Sequence, residues 1–170
     1  MNLITKKELR KTLEEVFEKA TWTIRKFAND EDYKNNKPYE VSKIDGNILV
    51  NEGINEVFKL ICGTGGAQFS SANANLIVGT GTGDEAATDT EATFTNGVKK
   101  GMDSGFPTYG TNQKATWKAT YDGSSANQAW NEFGVLNAAS SGKLLNRKVS
   151  SQGTKTSGQV WEISIEISLS

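Results

Sequence analysis

Apolar and polar residues alternate without a miss over Trp161–Leu169: Trp161, Ile163, Ile165, Ile167 and Leu169 fall on one side, Glu162, Ser164, Glu166 and Ser168 on the other. Period-two alternation is the mark of a strand with one face in a core, and a one-residue slip would invert every side chain. The pattern predicts a strand set centrally in a sheet, with its apolar side chains inward and Glu162 and Glu166 in water. The same period governs "QKATWKATYDG", where Ala115, Trp117, Ala119 and Tyr121 face inward and Lys118 and Thr120 outward. In "TWTIRKF", Trp22 and Ile24 share a face.

Further strands follow from short apolar runs bounded by Gly, Ser, Thr and Asn clusters. "NANLIVGTGTG" reads as a buried strand entering a glycine-rich turn. "AWNEFGVLNA" and "GKLLNRKV" read as a pair joined by "NAASSG", and "EVSKIDGNILV" as two short strands or one bent at Asp45-Gly46. The polar stretch "ANDEDYKNNKPYE" reads as a surface loop. Strand signals every ten or so residues without helical patterns between them predict a mainly β chain, an antiparallel β-sandwich or jelly-roll-like domain over residues 21–170.

Two segments keep a helical period. Residues 1–20 form an N-terminal arm: Thr5 and Glu8 fit a capping box, and Leu9, Leu13, Val16 and Ala20 recur on one face. That apolar stripe packs on its own domain or on a neighbouring subunit, since a seam of this kind suits both. The second helix, about residues 52–62, is capped by Asn51 and stopped at Gly63, with Ile54, Val57, Phe58 and Ile61 on the face expected to cover the sheets.

Charge narrows the function. Nineteen basic and 20 acidic residues give a net charge of -1, so neither a nucleic-acid footprint nor a polybasic face for anionic lipid is expected. There is no apolar run long enough for a membrane helix, and "MNLITKKELRK" lacks the apolar core of a signal peptide. Histidine is absent, which removes the commonest general base and zinc ligand, and a non-catalytic protein without cofactor is expected. The lone Cys62, in "FKLICG", reads as a buried structural thiol.

Several residues could still carry chemistry. "GTGTGDEAATDTE" (79–91) follows a strand, but its G-x-G-x-G spacing is not that of a dinucleotide loop, and its glycines read as turn formers. Its acids Asp84, Glu85, Asp89 and Glu91 are weak candidates for calcium, matching no EF-hand spacing; a solvated acidic loop is the plainer reading. Asp103, Asp122 and Glu132 are the acids to weigh for glycoside cleavage. Trp130 and Tyr109 are the aromatics that could stack on a sugar. In "LNRKV", Asn146 and Lys148 outward would turn Arg147 inward, where it needs a carboxylate, and Glu132 on the neighbouring strand is the expected partner. An edge strand with solvated charges is the alternative.

The blocks "NEGINEVFKLICG", "FSSANANLIVGTGTGDEAATDTEATF", "KKGMDSGFPTYG", "ANQAWNEFGVLNAASSGKLLNRKV" and "SQGTKTSGQVWEISIEISLS", in this order, resemble bacteriophage virion structural proteins of the head-decoration (cement) or fibre-associated type. The resemblance spans about residues 47 to 170 and leaves the first 20 outside it. It implies a β-rich protein on the outer surface of the virion, made in the host cytoplasm, which binds the major capsid protein or other virion proteins. It also implies a homo-oligomer, a trimer above all. The N-terminal stripe of Leu9, Leu13, Val16 and Ala20 would then be the oligomer or capsid contact. Placement on the tail, neck or fibre is the alternative, and a glycan-binding module a third. No active site is carried over.

Overall fold

A computed structural model describes residues 19–169. Ten strands form two antiparallel five-stranded sheets. The first sheet holds β1 (Lys19–Phe27), β2 (Glu40–Asp45), β6 (Thr108–Tyr109), β7 (Lys114–Tyr121) and β10 (Val160–Ser168), in the order β2-β1-β10-β7-β6. The second holds β3 (Ile48–Leu49), β4 (Asn75–Gly79), β5 (Val98–Gly101), β8 (Glu132–Leu136) and β9 (Leu144–Val149), in the order β3-β9-β8-β4-β5. One apolar core lies between them, with Trp22, Ile24, Trp117, Ala119, Ile163 and Ile165 from the first sheet meeting Leu76, Val78, Phe133, Val135 and Leu145 from the second. The sandwich read from the alternation is the architecture of the chain.

β10 is the central strand of its sheet, paired with β1 along its whole length and with β7 from Trp161 to Ser168. Trp161, Ile163 and Ile165 are buried as the alternation requires. Two of its residues depart from the pattern. Glu162 is buried although it points out of the core, because Arg25 of β1 and Lys118 of β7, its neighbours on that face, close over it at 3.1 Å each. Leu169 is exposed, since the last pair of the ladder is Ser168 with Lys114 and the chain leaves the core there.

β4 is buried throughout. Leu76 and Val78 face the inter-sheet core, while Ile77 joins Val50, Leu136 and Leu144 in a smaller core on the outer side. This two-sided burial is why "LIV" is a continuous apolar run. "EVSKIDGNILV" proves to be two strands in different sheets, with Gly46 at φ +79 where the chain crosses over.

The helical segments bring corrections. α1 (Asp30–Lys34) is a short helix in the stretch read as a loop, capped by Asn29, whose side chain accepts from the Asp32 N–H. α2 (Asn51–Ile61) lies where expected, but it starts from Val50 without a side-chain cap, and its buried residues are Gly53 and Glu56. Phe58 and Ile61, expected on the covering face, are 59% and 73% exposed. The apolar stripe is thus rotated from the buried face by about one residue step, ~100°. Gly53 sets this orientation: a Cβ there would stand 2.5 Å from Leu144 O and Leu145 Cα, so only glycine allows the helix this close to β9. Cys62, just past α2, is exposed rather than buried.

Ala20, expected at the end of the helical arm, belongs to β1. It pairs with Ile167 and is buried in the core, so it is not available to an oligomer or capsid contact. Leu9, Leu13 and Val16 lie outside the described residues. Among the described residues no helix is long and apolar enough to cross a membrane.

Glu56 fixes the other half of the buried face of α2. Its carboxylate accepts from Ala67 N at 2.7 Å, from Lys59 Nζ at 3.2 Å and from Asn137 Nδ2 at 3.3 Å. The Ala67 N–H, against the opposing effect of burial and aided by Lys59 and Asn137, holds it below the ordinary value of 4.5. A carboxylate depressed by folding contributes stability that is complete above its unfolded value and lost as pH falls through its folded one. Glu56→Gln is therefore expected to flatten the loss of stability below about pH 4.5. Urea midpoints across that range check this, and parallel curves for variant and parent would contradict it.

Candidate functional site at the glycine-rich loop

The candidate chemistry of the sequence converges on the loop that follows β4. Glu132 opens β8 opposite Gly79, and Arg147 lies on β9 opposite Gly134, so the two strands set both side chains under residues 79–91. Glu132 is fully buried and Arg147 nearly so. The guanidinium donates to Glu132 Oε2 from Nη2 at 2.7 Å and from Nε at 3.1 Å. It also donates from Nη1 to Asp89 Oδ2 at 2.9 Å and to Asp84 O at 3.1 Å, and from Nη2 to Gly83 O at 3.2 Å. These contacts use all five N–H donors of the arginine. Burial opposes its charge, but the two carboxylates outweigh burial and raise its pKa above the ordinary value.

The other oxygen of Glu132 completes the arrangement. Oε1 accepts from Gly81 N at 2.7 Å and from Thr95 N at 2.8 Å, joining both ends of the loop. The glycines serve this approach and not a tight turn: a Cβ on Gly79 or Gly81 would come 2.5 or 2.4 Å from Glu132 Oε1. Neither has a positive φ. A Cβ on Gly83 would meet open space, so it is the spacing of Gly79 and Gly81 that is the footprint of a buried carboxylate against the backbone. The cleft above it, about 440 Å³ and lined by Thr80, Gly81, Gly83, Asp84 and Thr95 beside Arg147, meets an arginine whose donors are all turned inward.

The four loop acids do not gather. Asp89 serves Arg147 and accepts from Ala86 N at 2.8 Å. Glu85 accepts from Val149 N at 2.6 Å, Glu91 binds Lys99 and Gly142 N, and Asp84 offers its backbone carbonyl to Arg147. Among the described residues no group of three or more acidic or cysteine side chains could hold a metal ion. The solvated reading holds for Asp84, which is exposed, but not for Asp89, which is buried, nor for Glu85 and Glu91, whose carboxylates are bound.

The acids weighed for glycoside cleavage are also engaged separately. Asp103 accepts from Thr120 N at 3.0 Å and Thr120 Oγ1 at 2.7 Å. Asp122 caps Ser124, whose hydroxyl and N–H hold its carboxyl well below the usual range. Trp130 is fully buried, edge-on to Tyr121 and Trp161 with centroids 4.9 and 5.0 Å away, and its indole N–H donates to Ala126 O. It offers no face to a sugar. Tyr109 is 87% exposed, at the mouth of a cleft of about 380 Å³ whose apolar walls are Phe69, Pro107, Ala115 and Trp117.

Sequence reasoning missed two buried lysines. Lys155 Nζ donates to Asp122 O at 2.6 Å, Asn127 Oδ1 at 2.8 Å and Ser125 O at 3.0 Å, and burial lowers its pKa against the pull of Asp122. Lys26 Nζ meets Glu40 Oε1, Gln152 O and the ring of Trp161. Lys155 lies in a polar stretch that gives no signal for burial, whereas Lys26 continues the alternation of Trp22 and Ile24 along β1, the signal that could have found it. No protein-family model, curated protein or solved structure matches this chain.

Proposed function

We propose that this protein is a non-catalytic virion structural module, a decoration or cement protein on the outside of a bacteriophage head. The observation that carries the reading is the Arg147–Glu132–Asp89 clamp: a buried polar constellation spends every arginine donor on holding a long surface loop to a rigid sandwich. A loop held in this way is a fixed surface feature, suited to a repeated, passive contact. The order of the sequence blocks that resembles head-decoration proteins gives the reading its setting.

Attachment is assigned to the end of the sandwich where β1 begins. A protein that binds only the assembled shell stabilises it by mass action, and many copies bridging neighbouring subunits add avidity to modest single contacts. Gold-labelled antibody on virions is expected to mark the whole shell. Label confined to one vertex would move the protein to the tail, neck or fibre, and virions without label would overturn the reading.

A further inference from the structure

We infer that the cleft beside Tyr109 binds a neutral saccharide, with one sugar ring stacked on the Tyr109 side chain. The inference rests on this cleft and not on the virion reading.

An aromatic ring stands open on the core side of a sheet. Tyr109 of β6 pairs with Ala115 of β7, and directly opposed residues share a face. Its side chain is therefore on the side that Ala115 and Trp117 turn to the core. Trp117 is 9% exposed there, but Tyr109, on the edge strand, is 87% exposed. It is not an isolated surface residue. The cleft it borders, about 380 Å³ with Phe69, Pro107, Ala115 and Trp117 as apolar walls, falls in the range of about 300–1,000 Å³ usual for small-ligand sites.

The walls are held in place. The Trp117 indole N–H donates to Phe69 O at 2.9 Å and ties the segment 68–71 to β7. Ser70 O accepts from Ala74 N at 2.7 Å and from Asn73 N at 3.1 Å, closing that segment into a turn. On the other side Thr108 and Tyr109 are paired with Thr116 and Ala115. A cleft formed in advance asks little ordering of itself when a ligand enters.

The lining selects the ligand. Residues 68–71, 107–109, 115 and 117 include no charged side chain, so an ionic ligand would leave water without a counter-charge. Beside the apolar walls, the amide of Gln68 and the hydroxyls of Ser71 and Tyr109 have no partner among the described residues. Such groups both donate and accept. A pyranose carries the matching pair of surfaces: a face of C–H groups that lies on an aromatic ring, and an edge of hydroxyls that needs mixed donors and acceptors. A purely aliphatic ligand would leave the polar groups unused. A proline-rich peptide docks in a groove lined by several aromatics, whereas here Tyr109 alone is largely exposed.

The full chain on an array of neutral, sialylated and sulfated oligosaccharides tests this, since multivalent display reads weak contacts through avidity. Binding to neutral glycans is expected, equally at low and high salt. Tyr109→Ala should weaken it about tenfold or more, the effect of truncating a central aromatic contact. Tyr109→Phe should keep most of it, and both variants should melt as the parent does, because the side chain is exposed. Silence on every neutral glycan, preference for the sialylated or sulfated ones, or binding that Tyr109→Ala leaves intact would each overturn the inference. So would a polyproline peptide held at Tyr109 more tightly than any of the glycans.

Discussion

Ending the chain after Gln159 is expected to abolish cooperative folding. The truncation removes β10, the strand that joins β2-β1 to β7-β6, and leaves two strand pairs with no connection in the sheet. Val160, Trp161, Ile163 and Ile165, each no more than 2% exposed, leave the core with it. Full burial of such side chains is worth about 1.5–3 kcal/mol each. The loss is thus on the order of 6–12 kcal/mol before the exposed faces of β1 and β7 are counted. A domain has about 5–15 kcal/mol in all. Circular dichroism should show no thermal transition. Removing only Leu169 and Ser170 should leave the melt nearly unchanged, because Leu169 is 60% exposed and beyond the ladder. A folded truncation would mean that the core does not depend on its central strand.

Arg147→Leu is expected to cost about 3–5 kcal/mol, the range for breaking a buried ion pair by removing one partner. The leucine would fill much of the space, but the fully buried Glu132 would be left with only the Gly81 and Thr95 amides to face it. Asp89 would lose the same cation, and the carbonyls of Gly83 and Asp84 would lose their donors. Guanidinium unfolding measures the difference. Combining Arg147→Leu with Glu132→Gln should cost less than the sum of the single changes, since the double variant removes the carboxylate that Arg147→Leu alone would leave without its cation. A change within about 0.5 kcal/mol for Arg147→Leu alone, the size of an ordinary surface substitution, would show that the clamp does not hold the loop.

The clamp also shows how far the sequence could be read. The pairing of Arg147 with Glu132 was legible, but its face was not. Asn146, expected outward, is fully buried opposite Val135 of the core, the register shifts at Val135/Leu136, and Arg147 lies with Glu132 on the other side of the sheet, under the loop. Asp89, weighed only for calcium, was missed as the second partner of Arg147, since it reaches the arginine from an irregular loop with no period to place it. The strands of the core were legible because Trp22, Ile24, Trp117, Tyr121, Ile163 and Ile165 alternate along paired strands. α2 was legible as a helix but not in its orientation. Its apolar stripe suggested one buried face, and a steric fact about Gly53 together with the hydrogen bonds of Glu56 selected another. Trp130 shows the converse: polar neighbours in "QAWNEFG" masked a residue at the centre of the aromatic core. The loop acids looked like a cluster in sequence because four of them fall within eight residues, yet the backbone sends them to separate partners.

The measurement that bears most directly on the proposed role is add-back to phage heads that lack this protein. Purified protein is expected to sediment with intact heads, to saturate, and to raise the temperature at which they release DNA, with no comparable binding to isolated tails. Heads that neither bind the protein nor gain thermal stability would contradict the account.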